Sequence, residues 1–315
     1  MKKLLLILAV LSTASLFIGA ANLNLRQLLQ GDPFALELLF SSRLPRLLAI
    51  LLAGAGLSIA GLVMQQISQN RFAAPSTTGT IECAMLGYVL SLVFFGEFSQ
   101  LGFVFSCAII GTLGFIYLIQ RIHFKNMVFV PLIGIIFGNV VEALTTFLAY
   151  KYDVLQSLNT WTVANFSHII RGDFELLFIA VPMVLLSYVF ATWISATAMG
   201  KEFAINLGLN YHQILTLGVI LVAIMSASVV MIVGQLPFLG LVIPNLVSLF
   251  YGDNLKKNIP LTAIYGALLV LSCDLISRII IFPYDMPIAI IMSILAGGVF
   301  IFLLLRDNNK DKPYA

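Results

Sequence analysis

Three acidic residues, Glu82, Glu142 and Asp274, stand inside apolar runs of this sequence. An ionised group at the centre of a membrane helix costs about 2.5–3.5 kcal/mol on insertion scales. Each must face a partner, a cavity or an interface, or be protonated. Asp274 and Arg278 are four apart on one helix face, so a local ion pair accounts for both. Glu142 is close to Asn139, Thr145 and Thr146, a composition suited to a wet interhelical surface. Glu82 follows Ser76-Thr77-Thr78 near a span end, and Gln65 and Gln66 close another span, where an interfacial place is the simplest account. Gln65, Asn139 and Glu142 are the candidate lining of a pathway. Arg43 and Arg46 are three apart at the start of a span, where arginines commonly anchor helix ends by snorkelling.

None of this makes a catalytic constellation. His123, His168 and His212 are scattered over predicted loops. Cys83, Cys107 and Cys273 lie far apart, without a CxxC pair or metal-ligand spacing. The sequence holds no HExxH, no GxSxG and no GxxxxGK[ST], so a P-loop ATP site is not expected. If ATP drives transport, a separate subunit hydrolyses it. No cofactor or metal site is predicted, and the chain is not expected to be an enzyme.

The elements that position these residues follow from composition. Of 315 residues, 60% are hydrophobic and 10% charged, and the mean hydropathy is +1.04. Soluble chains carry about 25% charged residues, which excludes a soluble enzyme. So apolar a chain is not disordered, and a net charge of +3 does not support a nucleic-acid partner. The expectation is an all-α polytopic membrane protein, one domain over 1–315. A hydrocarbon core of about 30 Å takes about 20 residues per span, giving about ten: Leu4–Ala20, Leu44–Ile67, Thr77–Phe95, Leu101–Ile119, Met127–Ala149, Phe174–Ser195, Gln213–Val233, Phe238–Tyr251, Ile259–Phe282 and Met286–Leu305. The first could also be read as a signal peptide, with Lys2 and Lys3 before it and small residues near Gly19. Asn22 to Ser42, with Leu25, Leu28, Leu29 and Leu36, suggests a short amphipathic surface helix. With the N-terminus inside, eleven of the 17 Lys and Arg fall on the cytoplasmic side, including Arg71, Arg121, Lys125, Lys201, Lys256, Lys257, Lys310 and Lys312. Arg26, Arg43, Arg46, Lys151, Arg171 and Arg278 fall outside. The positive-inside rule then puts both termini in the cytoplasm.

Two segments interrupt the pattern in comparable places. One is Asn70 to Pro75, followed by Ser76-Thr77-Thr78-Gly79; the other is Gly234 to Gly240, followed by Pro244-Asn245. Gly and Pro there end or kink helices. Backbone freed at membrane depth must be buried in protein or line a cavity. Paired breaks point to an inverted-repeat transporter, and two ordinary tight turns are the plain alternative. The longest cytoplasmic connection, within 196–212, carries a helix of about two turns between Gly200 and Gly208. Phe203, Ala204 and Leu207 would share an apolar face there, and an exposed apolar face needs a cover, either the membrane surface or a partner's groove.

These residues occur together as ordered motifs: Arg43-Leu-Pro-Arg46; Gly61-Leu-Val-Met-Gln65 with Asn70 and Pro75; Gly200-Lys-Glu-Phe-Ala204 with Leu207-Gly208-Leu209; Pro237-Phe-Leu-Gly240 through Pro244; and Cys273-Asp274 through Arg278. In this order, over nearly the whole chain, the sequence resembles the permease subunits of ferric siderophore and cobalamin importers, type II ATP-binding cassette (ABC) importers. It departs from most of that family at Phe72 to Gly79 and at Asn245. Gly252 to Lys257 and Phe282-Pro283-Tyr284 are similar to a branch linked to catecholate-type and petrobactin-like siderophores.

The resemblance implies a fold of about ten spans with inverted repeats, in the inner (cytoplasmic) membrane. It implies a second permease subunit, similar or identical, and two ATPase subunits. A periplasmic or lipoprotein binding protein would deliver the ferric siderophore. Gly200, Glu202, Phe203, Ala204, Leu207 and Gly208 would form the ATPase-coupling loop. Arg43, Arg46 and Arg278 would receive carboxylates of the binding protein, a pairing suited to guanidinium forks. Asp274 competes for Arg278. The rival reading is a secondary transporter driven by an ion gradient through Glu82, Glu142 and Asp274.

Overall fold

The computed structural model describes residues 1–19, 25–96, 99–121 and 129–308. His123, Lys125, Lys310 and Lys312 lie outside the described residues, as does Asn22.

The chain is a helical bundle: α1 Lys2–Phe17, α2 Leu25–Leu29, α3 Pro33–Leu38, α4 Leu44–Ile67, α5 Thr80–Phe94, α6 Gln100–Arg121, α7 Phe129–Lys151, α8 Leu155–Thr162, α9 Ala180–Val189, α10 Ala191–Ala198, α11 Lys201–Asn206, α12 Tyr211–Val233, α13 Leu239–Tyr251, α14 Leu255–Ile280 and α15 Ile288–Asn308. Among the described residues five helices, counting α3 and α4 as one, are long and apolar enough to cross a membrane. The bent pair Glu175–Val189 and Ala191–Ala198, angled by 65°, makes a sixth. Thr80–Phe94, Leu239–Tyr251 and Ile288–Phe302 are shorter apolar helices, and α1 has 16 residues. These elements fall on the expected spans one for one. Among the described residues the only strand-like pairing is an isolated parallel bridge between Val163 and Gln235.

The segment before α4 differs from the expected surface helix. Asp32 caps α3 by accepting from the Phe34 amide at 3.3 Å, and Pro33 opens the helix. Leu39–Arg43 then continues as a π-helical turn into α4. Pro33–Ile67 is thus one helical run of 35 residues. The extra π residue rotates the face on which Arg43 and Arg46 project.

Helix α4 is the hub, packed against α14, α12 and α13 and 78% buried over its apolar window. Lipid gives no hydrophobic drive between helices, so close backbone approach matters instead. Ala53, Gly54, Gly56, Ser58, Ala60 and Gly61 supply it. A Cβ on Gly54 would lie 2.8 Å from the Gly266 carbonyl oxygen, and one on Gly61 would overlap the backbone of Gly240.

The two breaks do not behave as separate turns. Each precedes a short helix, α5 with 15 residues and α13 with 13. At 1.5 Å per residue, α13 spans only about 20 Å. The breaks also touch: Gly240 packs near Pro75, and Ala74 shares an apolar cluster with Leu241 and Val242. The freed backbone is buried in protein, as a lipid setting demands.

Candidate functional site

Three regions carry the polar groups. The first gathers the ends of α1, α4 and α14. Arg46 donates from Nε at 3.1 Å and Nη2 at 2.7 Å to Asp274 Oδ1, and from Nη1 at 2.6 Å to Asp285 Oδ2. Arg278 pairs with the other Asp274 oxygen and donates to the carbonyls of Ser15 and Ile18, each at 2.9 Å. Arg43 reaches the Ile18 carbonyl at 2.7 Å. Gly19 leaves room for that guanidinium, since a Cβ there would collide with it. Asp274 is 1% exposed, and all three arginines are buried. The arginines expected to receive a binding protein's carboxylates are thus buried within this chain. The local Asp274–Arg278 pair is present, and the carboxylates that the arginines meet belong to this chain. Asp285, which completes the knot, was not singled out from the sequence. Its signal was an acidic residue just before a span.

The second region is a cavity of about 370 Å³ between α5, α7, α8 and the second break, lined in part by Glu82, Glu142, Thr145, Asn159, Thr162 and Gln235. Glu142 therefore faces this cavity, and Glu82 joins it from α5 instead of ending at an interface. Glu82 Oε2 is buried without a hydrogen-bond partner. Gly138, one turn before Glu142, faces the Glu82 carboxylate. Asn139 is exposed on α7, and neither it nor Gln65 lines this cavity. Neither Asn159 nor Gln235 was recognised as lining, although Gln235 lay inside the flagged break. Next to it, sharing Val163, is a cavity of about 840 Å³ where Tyr88 and Trp161 stack at 4.1 Å. His168 faces that cavity and contacts the Ile232 carbonyl at 3.3 Å.

The third region is at the opposite end of α4. Gly200 (φ 110°) and Gly208 (φ 75°) adopt conformations that L side chains avoid, and they bracket α11. Ala204 is fully buried, in one apolar cluster with Ile67, Tyr211 and Leu215 of α4 and α12. Phe203 and Leu207, one turn apart, are 44% and 57% exposed, and Met199 is exposed beside them. The expected shared face is thus divided: Ala204 roots the loop, and Phe203 with Leu207 forms the outward surface. Glu202 is exposed. Near the root, Gln65, Asn70, Asn245 and Asn258 line a cavity of about 280 Å³. Arg71 pairs with Asp253 at 2.8 Å across its mouth. No group of three or more His, Cys, Asp or Glu among the described residues could hold a metal ion.

The residues assigned outside, Arg43, Arg46 and Arg278, meet at one end. Arg71, Asp253 and the loop before Lys201 meet at the other.

The FecCD transport family matches residues 5–306. The petrobactin import system permease protein YclN of Bacillus subtilis is 42% identical over 97% of this chain and 98% of its own length. The ferric-anguibactin transport system permease protein FatD of Vibrio anguillarum is 38% identical, covering 96% and 98%. A solved ABC transporter described as of metal-chelate type, in an inward-facing conformation, superposes with a TM-score of 0.80 at 26% identity, covering 96% of this chain and 98% of that one.

Proposed function

Because the chain belongs to the FecCD transport family, we propose that it is the membrane-spanning permease subunit of an ATP-driven importer carrying a ferric siderophore into the cell. Relatives named for petrobactin and ferric-anguibactin, at 42% and 38% identity over nearly full length, support a ferric siderophore as cargo, and the resemblance of Gly252 to Lys257 suggests the catecholate type. The chain makes no covalent chemistry. Its work is to bind partners and to open and close a path.

The observation that carries the reading is α11, an apolar foot held out between two left-handed glycines on a chain without a P-loop. Its exposed Phe203 and Leu207 suit a groove on an ATPase subunit. Gly200, Glu202, Phe203, Leu207 and Gly208 form that docking surface, and Ala204 anchors it. Two ATPases and a second permease, similar or identical, complete the membrane assembly. The polar cavity at Glu82 and Glu142 belongs to the pathway. A site that must also release its cargo works with weak contacts, and a chelated iron needs no protein ligands. The complex lies in the cytoplasmic membrane with α11 and both termini inside.

A periplasmic or lipoprotein binding protein docks at the end where α1, α4 and α14 meet. Arg43, Arg46 and Arg278 shape that surface from beneath. Direct pairing with the binding protein proceeds by exchange: a partner carboxylate replaces Asp285, itself 22% exposed, on Arg46.

The test is reconstitution. Vesicles holding this chain, its mate and the ATPase import ferric siderophore from loaded binding protein only with ATP inside. Import by this chain alone, or failure to bind the ATPase, overturns the reading. The unpartnered Glu82 oxygen beside Glu142 favours one rival, transport driven by an ion gradient. Collapse of uptake by an uncoupler at constant ATP would establish that rival.

A further inference from the structure

The foot at α11 can do work only if its displacement reaches the helices that border the path. Its apolar root at Ala204 packs into a cluster shared with α4 and α12, but apolar contacts slide. A directional link is also present. Gln69, two residues beyond α4, donates from Nε2 to the Thr197 carbonyl at 3.0 Å, in the last turn of α10 and four residues before α11 begins.

Gln69 keeps a side chain where the backbone disfavours one, at φ 52°. Glycine adopts that conformation freely, whereas residues with a Cβ are rarely found there. A costly backbone conformation retained at a contact points to a role for the side chain that makes the contact. Gln69 is largely exposed, so core packing does not account for it.

The same short loop is tied on its far side to α13. Asn245 donates to the Arg71 carbonyl at 2.8 Å, and Arg71 pairs with Asp253 at the α13–α14 turn. Between these ties lies the 280 Å³ cavity, lined by the buried amides of Gln65, Asn70 and Asn258. Asn258 is 1% exposed; its Nδ2 donates to the Gly252 carbonyl at 2.6 Å, while Oδ1 is buried without a partner. A polar cavity of this size admits water. Hydrogen bonds through water re-form after small shifts, whereas a close-packed apolar seam resists them.

We infer that Gln69 is a positioning residue for coupling: it straps the foot to α4, and the amide-lined cavity behind it is the wet joint at which α4 and α13 shift together. The inference rests on reading α11 as the ATPase-docking foot. The strap acts on the path through α4 and α13, because α13 follows the break whose Gln235 and Pro237 line the Glu82–Glu142 cavity.

The experiment uses the full complex in vesicles with its binding protein. Gln69→Glu keeps size but replaces the amide donor with oxygen. Gln69→Gly removes the side chain and relaxes the backbone. Both are expected to assemble normally and hydrolyse ATP at the basal rate. ATP hydrolysis stimulated by loaded binding protein is expected to fall about fivefold, the worth of one neutral hydrogen bond, with import falling in parallel. For Gln69→Gly the melting temperature should hold or rise, which separates lost coupling from lost folding. Wild-type stimulation and import in both variants would overturn the strap. Assembly with the ATPase is scored in parallel for Phe203→Glu. If that variant still binds the ATPase, the docking reading itself fails; if it does not, a null result at Gln69 counts against the strap alone.

Discussion

The two ends of α4 hold the same kinds of residue and use them in opposite ways. At its start, Arg43, Arg46 and Arg278 are buried with Asp274 and donate to carboxylates and to carbonyls at the end of α1, with Arg278 Nε left without a partner. At its finish, Arg71 pairs with Asp253, but both side chains are exposed, at 58% and 62%. A buried pair that loses one partner leaves an uncompensated charge in a low-dielectric setting, whereas an exposed pair is largely replaced by water. The first end is therefore built to hold one arrangement. The second is built to change arrangement at little cost, which suits the end that carries the foot.

The largest expected effect breaks the rigid end. Asp274→Ala leaves Arg46 and Arg278 as two buried like charges, with Asp285 on Arg46 as the one remaining carboxylate and only the Ser15 and Ile18 carbonyls on Arg278. The loss should be about 3–5 kcal/mol, read as collapse of the purified yield and a large fall in melting temperature. A near-wild-type melt would mean that the knot is hydrated and that the contrast between the ends is false. By the same logic, Arg43→Glu with Arg46→Glu should fail to fold before any loss of docking could be read.

A smaller and cleaner effect sharpens the mobile end. Phe203→Glu should cut ATPase association by about thirtyfold, as for a hot spot worth about 2 kcal/mol, and leave the melt of the isolated permease unchanged. Ala204→Asp, one residue on, should lower both, because Ala204 is fully buried in an apolar cluster with Ile67 and Tyr211. Equal behaviour of the two variants in a pull-down and a thermal melt would remove the distinction between surface and root.

That distinction also marks where the sequence was legible. Spans announced themselves through length and composition, and α4 at Leu44–Ile67 falls where hydropathy put it. The two breaks were visible as Gly and Pro clusters, but their mutual contact at Pro75 and Gly240 was not, since nothing local encodes which helices cross. The i,i+4 spacing revealed Asp274–Arg278, yet Arg46–Asp274 joins residues 228 positions apart. Arginines at a helix start look alike whether they face solvent or a buried carboxylate, so spacing alone does not reveal the Asp274 and Asp285 contacts. On α11, periodicity grouped Phe203, Ala204 and Leu207. The small Ala204 can reach close packing that Phe203 cannot, and this split the face. Glu82 was judged by its distance from a span end, whereas its place was set by α7 packing across it at Gly134 and Gly138.

The smallest effect tests the mobile end on its own terms. Arg71→Ala removes an exposed ion pair, so the expected stability change is about 0.2–1 kcal/mol, read as a slight shift in melting temperature that shrinks further at high salt. The Arg71 carbonyl still accepts from Asn245 in that variant, because the contact is to the backbone. The loop therefore keeps its tie to α13, and import should stay close to wild type. A loss as large as that expected for Asp274→Ala would show that the Arg71–Asp253 pair is shielded from water in the assembled complex. The two ends would then differ only in the isolated chain, and the partner that covers this end would be supplying the low dielectric that the knot at the other end makes for itself.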